Sequence, residues 1–238
     1  MTPNRRISII AGTLLILATA ASLVATGLAP SLSGPDYLES LTTRSGAMAT
    51  SLLLSLMAAW SSVGIAIALY AVLRRTHPTL ALGSVAFRTI EATFYIVGVV
   101  SWMTVLSIAT STAAEAQPTS QAISDALVSA HDRAGVAAVS AFVIGGLMYY
   151  VALYRTRLVP RWLSGWGIAA MPLMAIACAL ALYSSNPVTS YVPLAVPIGV
   201  QEIVFGLWLM IKGFSTPPAV EAPSVDNAIR TTTAATDG

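Results

Sequence analysis

Charge is scarce in this chain. Only 9% of its 238 residues are Asp, Glu, Lys or Arg, against about 25% in a soluble domain. Lysine is nearly missing, with one residue beside eleven Arg. The formal net charge of +2 is too small to suggest a nucleic-acid partner. The single cysteine, Cys178, excludes an internal disulfide and argues against a Cys-based metal site. HExxH, GxSxG, GxxxxGK(S/T) and CxxC are all missing. With them go the sequence signs of a zincin, a nucleophile elbow, a phosphate loop and a dithiol centre. No cofactor and no metal are expected. What remains is apolar: 56% of the residues are hydrophobic, and the mean hydropathy is +0.77. The bilayer is the natural solvent for such a chain.

Six stretches are long and apolar enough to span ~30 Å of hydrocarbon at 1.5 Å per residue. They lie near residues 7–29, 48–73, 82–109, 135–154, 163–184 and 191–211. Only helices or closed barrels satisfy the backbone inside lipid, and the alternating strands of a barrel are missing. The expected fold is therefore all-α, a polytopic bundle of six transmembrane helices formed by residues 1–214. The segment from Thr119 to Arg133 has helical composition, and either extends span four outward or lies at the interface.

Arg and Lys set the orientation. Arg5, Arg6, Arg74, Arg75, Arg155, Arg157, Arg161, Lys212 and Arg230 fall on one side, and Arg44 and Arg133 on the other. The opposite loops are acidic, with Asp36, Glu39, Glu115, Asp125 and Asp132. Both termini are expected in the cytoplasm, in a bacterial cytoplasmic (inner) membrane. Arg5-Arg6, an apolar run and Ala18-Thr-Ala20 mimic a signal peptide. The run is longer than a usual signal core, so a retained span is expected. Residues 215–238, rich in Pro, Ala, Thr and Ser, read as a disordered cytoplasmic tail. Tyr149, Tyr150, Tyr154, Trp162 and Trp166 flank one loop, and Tyr183 and Tyr191 another, as interface anchors do. Trp60, near the middle of span two, is expected to pack inside.

Polar groups at membrane depth are the informative part. Arg88 and Glu91 lie three residues apart in span three, hence on one helix face. Each charge costs about 2.5 to 3.5 kcal/mol at a helix centre. Counted from the inner edges, Glu91 lies ~14 Å deep and Glu202 of antiparallel span six ~15 Å deep. Arg88, ~9 Å deep, can reach either carboxylate bidentately. One positive and two negative groups do not balance, so the surplus carboxyl is protonated or holds a cation or an amine. Gln201 precedes Glu202, and Tyr95 is one turn after Glu91. Ser51, Ser55 and Ser62 stripe span two, Pro172 and Pro197 interrupt spans five and six, and Gly145 and Gly146 permit close packing of span four. His131, beside Asp132 at the outer end of span four, reads as a solvated or capping residue, and the pair is a candidate pH-sensitive outer gate. Six spans also allow a three-plus-three inverted repeat.

The chain resembles the domain-of-unknown-function 4386 family over most of residues 8–214. The resemblance rests on Phe87-Arg-Thr-Ile-Glu-Ala92, on His131 followed by Gly135, and on Leu158-Val-Pro-Arg-Trp-Leu-Ser-Gly-Trp-Gly167. It also rests on Pro197-Ile-Gly-Val-Gln-Glu-Ile-Val-Phe-Gly-Leu-Trp-Leu-Met-Ile-Lys-Gly213. The family's usual Gly-Glu stands here as Gln201-Glu202. The resemblance implies six spans and a retained first helix, and no activity. Three readings of function follow. Arg88, Glu91, Glu202, Gln201 and Tyr95 form a site for a small ligand, a cation or a proton. Alternatively, the charged residues only lock helices in a structural or regulatory membrane partner. Ranked last is an intramembrane enzyme using Glu91 or Glu202 as acid or base, because no nucleophile or metal constellation accompanies them. Beyond the lipid bilayer no partner is indicated, and no oligomeric state.

Overall fold

The computed structural model describes residues 3–32, 34, 36–111, 118–184 and 186–215. The expected tail lies, apart from Ser215, outside the described residues. Among these there are seven α-helices and no strand. They are α1 (Pro3–Leu28), α2 (Tyr37–Thr43), α3 (Ser45–Leu73), α4 (Pro78–Thr110), α5 (Pro118–Thr156), α6 (Arg161–Ser184) and α7 (Val192–Ile211). A 3-10 turn over Val188–Tyr191 precedes α7. All but α2 are long and apolar enough to cross a membrane. The protein is a six-span, all-α integral membrane protein. Prolines start the helices where a missing N–H has no consequence, as at Pro78 and Pro193. Pro172 and Pro197 lie inside α6 and α7, which continue through them.

The six long helices close into a ring. Each packs on the next in sequence, and α7 returns to α1. Short connections make successive helices antiparallel, so one face of the ring collects the start of α1 and the end of α7. This terminal face also carries Arg5, Arg6, Arg74, Arg75, Arg155, Arg157, Arg161 and Lys212. The opposite, distal face carries Asp36, Glu39, Arg44 and Asp125. The α1–α7 seam is close because small residues meet there. A Cβ on Gly12 would stand 2.5 Å from the Gly206 carbonyl oxygen. At the terminal face the Arg5 guanidinium donates to the Leu209 carbonyl at 3.2 Å and the Met210 carbonyl at 2.6 Å. A cation thus meets the negative end of the α7 dipole and its unpaired carbonyls.

One open sequence expectation is decided and two change. Span four is not confined to residues 135–154: Thr119 to Arg133 is continuous with it, making α5 a 39-residue helix. At 1.5 Å per residue α5 is ~58 Å long, nearly twice the hydrocarbon thickness. Its extra turns have somewhere to pack. Leu127 and Val128 join Tyr37, Leu41, Met48, Leu52, Val99, Val105 and Ala109 in a second apolar core at the distal end. Tyr149 and Tyr150 are not interface anchors but fully buried, filling the ring with Leu15, Leu69, Leu153 and Phe205. Trp60 is not packed inside; it is 63% exposed, on the outer surface of α3. Tyr154, Trp162 and Tyr183 are exposed, as anchors would be.

The distal core is pinned by one polar contact. Tyr37 of α2 donates its hydroxyl hydrogen bond to Asp125 Oδ1 of α5 at 2.9 Å, and Gln121 donates to the same oxygen at 3.0 Å. Burial, helped by the Asp125 carboxylate, pushes the Tyr37 phenol up to about 12. A raised folded-state value means that the neutral phenol favours folding. That gain is complete below pH ~10, the ordinary tyrosine value, and is lost as pH rises through about 12. In alkaline absorbance titrations, Tyr37→Phe should remove one tyrosine from the late-ionising class and none from the class near 10. The ring seam has its own test. Gly12→Ala should destabilise the detergent-solubilised protein by about 1–3 kcal/mol in thermal unfolding. Gly46→Ala, whose Cβ would meet nothing within 4 Å, should not.

Candidate functional site

Where the ring closes, its polar side chains face inward. Arg88 and Glu91 of α4 are 2% and 4% exposed. Arg88 Nη1 lies 3.0 Å from Glu91 Oε2, the only ion pair among the described residues. The contact is ionic without being a good hydrogen bond: Arg88 Nε and Nη1 and Glu91 Oε2 have no hydrogen-bond partner. The expected bidentate clamp does not form. Partners three residues apart meet side by side, and the guanidinium is committed to the Phe142 ring of α5, 4.7 Å from its centroid. That cation–π contact supplies part of the compensation a buried cation needs. Gly145 lets α5 come this close, since a Cβ there would lie 3.3 Å from Arg88 N.

Glu202 of α7 is half-buried and takes a different partner. Thr19 of α1 donates its hydroxyl to Glu202 Oε2 at 3.0 Å. Glu202 stays near enough to Arg88 and Glu91 for its charge to act on both. Ser62 of α3 faces Glu91. Tyr149 of α5 lies within electrostatic reach of Arg88 and both carboxyls. Gln201 turns away from them: its Oε1 accepts from the Tyr150 hydroxyl at 2.5 Å, and its Nε2 donates to the Leu163 carbonyl of α6 at 3.1 Å. It fastens α5, α6 and α7 and touches neither acid. Tyr95 lies on the inward stripe one turn beyond Glu91, yet is 37% exposed. No hydrogen bond among the described residues joins it to Glu91.

His131 sits thirteen residues inside α5 rather than at a helix end. Its ring stacks on Trp102 of α4 with centroids 3.7 Å apart. Nδ1 is 3.0 Å from the Gly98 carbonyl; a carbonyl only accepts, so Nδ1 carries the proton. Asp132 is half-buried and, as the next helical residue, points about 100° away. Among the described residues no three His, Cys, Asp or Glu side chains gather as metal ligands. A separate groove of about 390 Å³ lies at the distal face between α3 and α4, lined by Ser45, Gly46, Ala49, Leu106, Ser107 and Thr110.

Sequence reasoning located the charged members and missed their partners. Thr19 carries no signal beyond a hydroxyl in an apolar run. Tyr149 and Tyr150 did carry one. They lie six or seven residues from the end of α5, ~10 Å inside by the same count that placed Arg88. The Ser51–Ser55–Ser62 stripe divides: Ser62 faces the site, while Ser51 donates to the Ala25 carbonyl and ties α3 to α1 at 2.8 Å.

These features define a class: a six-span helical membrane protein whose ring encloses one arginine and two carboxyls drawn from two helices. The chain belongs to the family described as Domain of unknown function (DUF4386), whose model matches residues 10–213. No curated protein and no solved structure matches it.

The buried pair predicts a sharp asymmetry. Arg88→Gln leaves Glu91 without its counter-ion and should cost about 3–5 kcal/mol. Arg88→Gln with Glu91→Gln together should be less damaging than Arg88→Gln alone. Thermal unfolding of the two purified variants against wild type measures both.

Proposed function

We propose that this protein resides in a bacterial cytoplasmic membrane with both termini in the cytoplasm, and that Arg88, Glu91 and Glu202 form a site responding to a proton, a cation or a small ligand. The orientation rests on the basic residues gathered at the terminal face. The site rests on one observation above all: a single guanidinium faces two carboxyls, and the nearer pair leaves Arg88 Nε, Arg88 Nη1 and Glu91 Oε2 without hydrogen bonds. Buried charges with unused hydrogen-bonding capacity are costly to keep. In a membrane protein such groups are candidates for function before structure. Glu202 is the acid to exchange its proton or cation, because Arg88 already serves Glu91 and Thr19 gives Glu202 one neutral donor.

A second reading has its own observation. The Thr19–Glu202 and Tyr150–Gln201–Leu163 bonds cross four helices. A lock alone would explain them.

The two readings part in a thermal-shift experiment on the full-length, detergent-solubilised protein. The panel is pH 5 to 8, alkali cations and small amines. A ligand at a hundred times its Kd should raise stability by about 2.7 kcal/mol. That shift should vanish in Glu202→Gln while the variant stays folded. A wild type that gives no shift across the panel, or a shift that survives in Glu202→Gln, leaves the lock.

A further inference from the structure

The inward stripes of α1, α4 and α5 are continuously buried in one half of the ring and interrupted in the other. Toward the terminal face its interior holds Leu15, Leu69, Leu73, Tyr149, Tyr150 and Leu153, each at most 1% exposed. Toward the distal face three positions on inward stripes are open. Ser22 of α1 lies two turns beyond Leu15 on the same face. It is exposed, although its neighbours Thr19, Ala21 and Ala25 are all buried. Tyr95 of α4 lies between buried Glu91 one turn before and buried Val99 one turn after, and is itself 37% exposed. Gly135 of α5 shares its face with His131, Ala138 and Phe142, and a Cβ built on it would meet nothing within 4 Å. Exposure in the middle of a buried stripe is exposure to the inside of the ring.

The three positions belong to one space. Gly98 and Arg88 of α4 meet His131 and Phe142 of α5, so Tyr95 and Gly135, which lie between those contacts, come level with each other. Tyr95 is close enough to feel the charges of Glu91 and Glu202 and the Cys178 thiol of α6 across the ring. On α1 the stripe runs from Thr19, which holds Glu202, through Ser22 to exposed Thr26 two residues from the helix end. Hydroxyls thus mark a continuous route from Glu202 to the distal face.

We infer that Glu202 is reached from the distal face alone, through a polar cleft inside the ring walled by Ser22, Tyr95 and Gly135, and that this cleft admits small cations. The path stands on packing alone; its occupant rests on the site proposed above. The cleft presents hydroxyls and a carboxylate, and its floor is the aromatic and aliphatic plug around Tyr149 and Tyr150. The only guanidinium at the floor is already paired with Glu91. A cation entering the cleft therefore meets a surplus of negative charge and leaves by the way it came.

The lone cysteine makes the test direct. In a full-length Cys178→Ser background, single cysteines replace Ser22, Tyr95, Gly135 or Leu153, with Thr43→Cys and Ser215→Cys marking the two faces. Right-side-out and inverted vesicles are treated with membrane-impermeant methanethiosulfonates, one cationic and one anionic. Ser22→Cys, Tyr95→Cys and Gly135→Cys should react only in the vesicles where Thr43→Cys does, and Leu153→Cys in neither. The cationic reagent should react at Tyr95→Cys about tenfold faster than the anionic one, and Glu202→Gln should erase the difference. Silence at all three cleft positions, or reaction where only Ser215→Cys reacts, overturns the cleft. Distal labelling with no preference for the cation keeps the path and removes the cation site.

Discussion

An arginine held away from water inside an apolar ring constrains everything around it. A buried guanidinium is tolerable only where charge, aromatic face and polar neighbours are supplied together. Arg88 draws each from a different place: Glu91 from its own helix, Phe142 from α5, and a second carboxyl from α7. Those neighbours need their own supports. Gly145 brings α5 close enough for Phe142 to reach, and Thr19 holds Glu202 from α1. The closed ring is the arrangement that lets helices far apart in sequence contribute to one charge. The Gly12–Gly206 crossing and the Arg5 clamp on α7 close it.

The fold was mostly legible from composition, because lipid leaves the backbone so few options. Five of the six spans emerged within four residues of their expected ends. The exception is α5, and its reason is physical. Thr119 to Arg133 has helical composition, but Gln121, Asp125, His131 and Asp132 left open whether it extends span four or lies at the interface. The choice is made by Leu127 and Val128, which pack into a core built from helices distant in sequence. The site was legible as charges and illegible as contacts. Arg88, Glu91 and Glu202 stand out wherever hydrocarbon is expected. Trp60 and Thr19 do not, because which face a tryptophan or threonine presents is decided by the neighbours it meets.

The two cores divide the labour of the molecule. The terminal half is packed with large side chains and fixes the helices, including the full ring crossing at Tyr149 and Tyr150. The distal half is held by a smaller cluster set to one side, under α2 and the long ends of α4 and α5. Toward the distal face the inward stripes of α1, α4 and α5 are interrupted at exposed Ser22, exposed Tyr95 and Gly135, whose added Cβ would meet nothing within 4 Å.

The order of the ring also bears on how the protein is made. Among the six long helices, the main contacts join neighbours in sequence except at α1 and α7. Helices can therefore dock one after another as they leave the ribosome, each against the one just inserted, with little loop entropy to overcome. One seam must wait for the last helix. Until α7 arrives, Thr19 has no acid to hold, and Arg5 has no helix end to clasp. The final helix brings the second carboxyl to Arg88 and Glu91 at the moment it completes the barrier, so a chain truncated before it would carry an unfinished site and an open wall together.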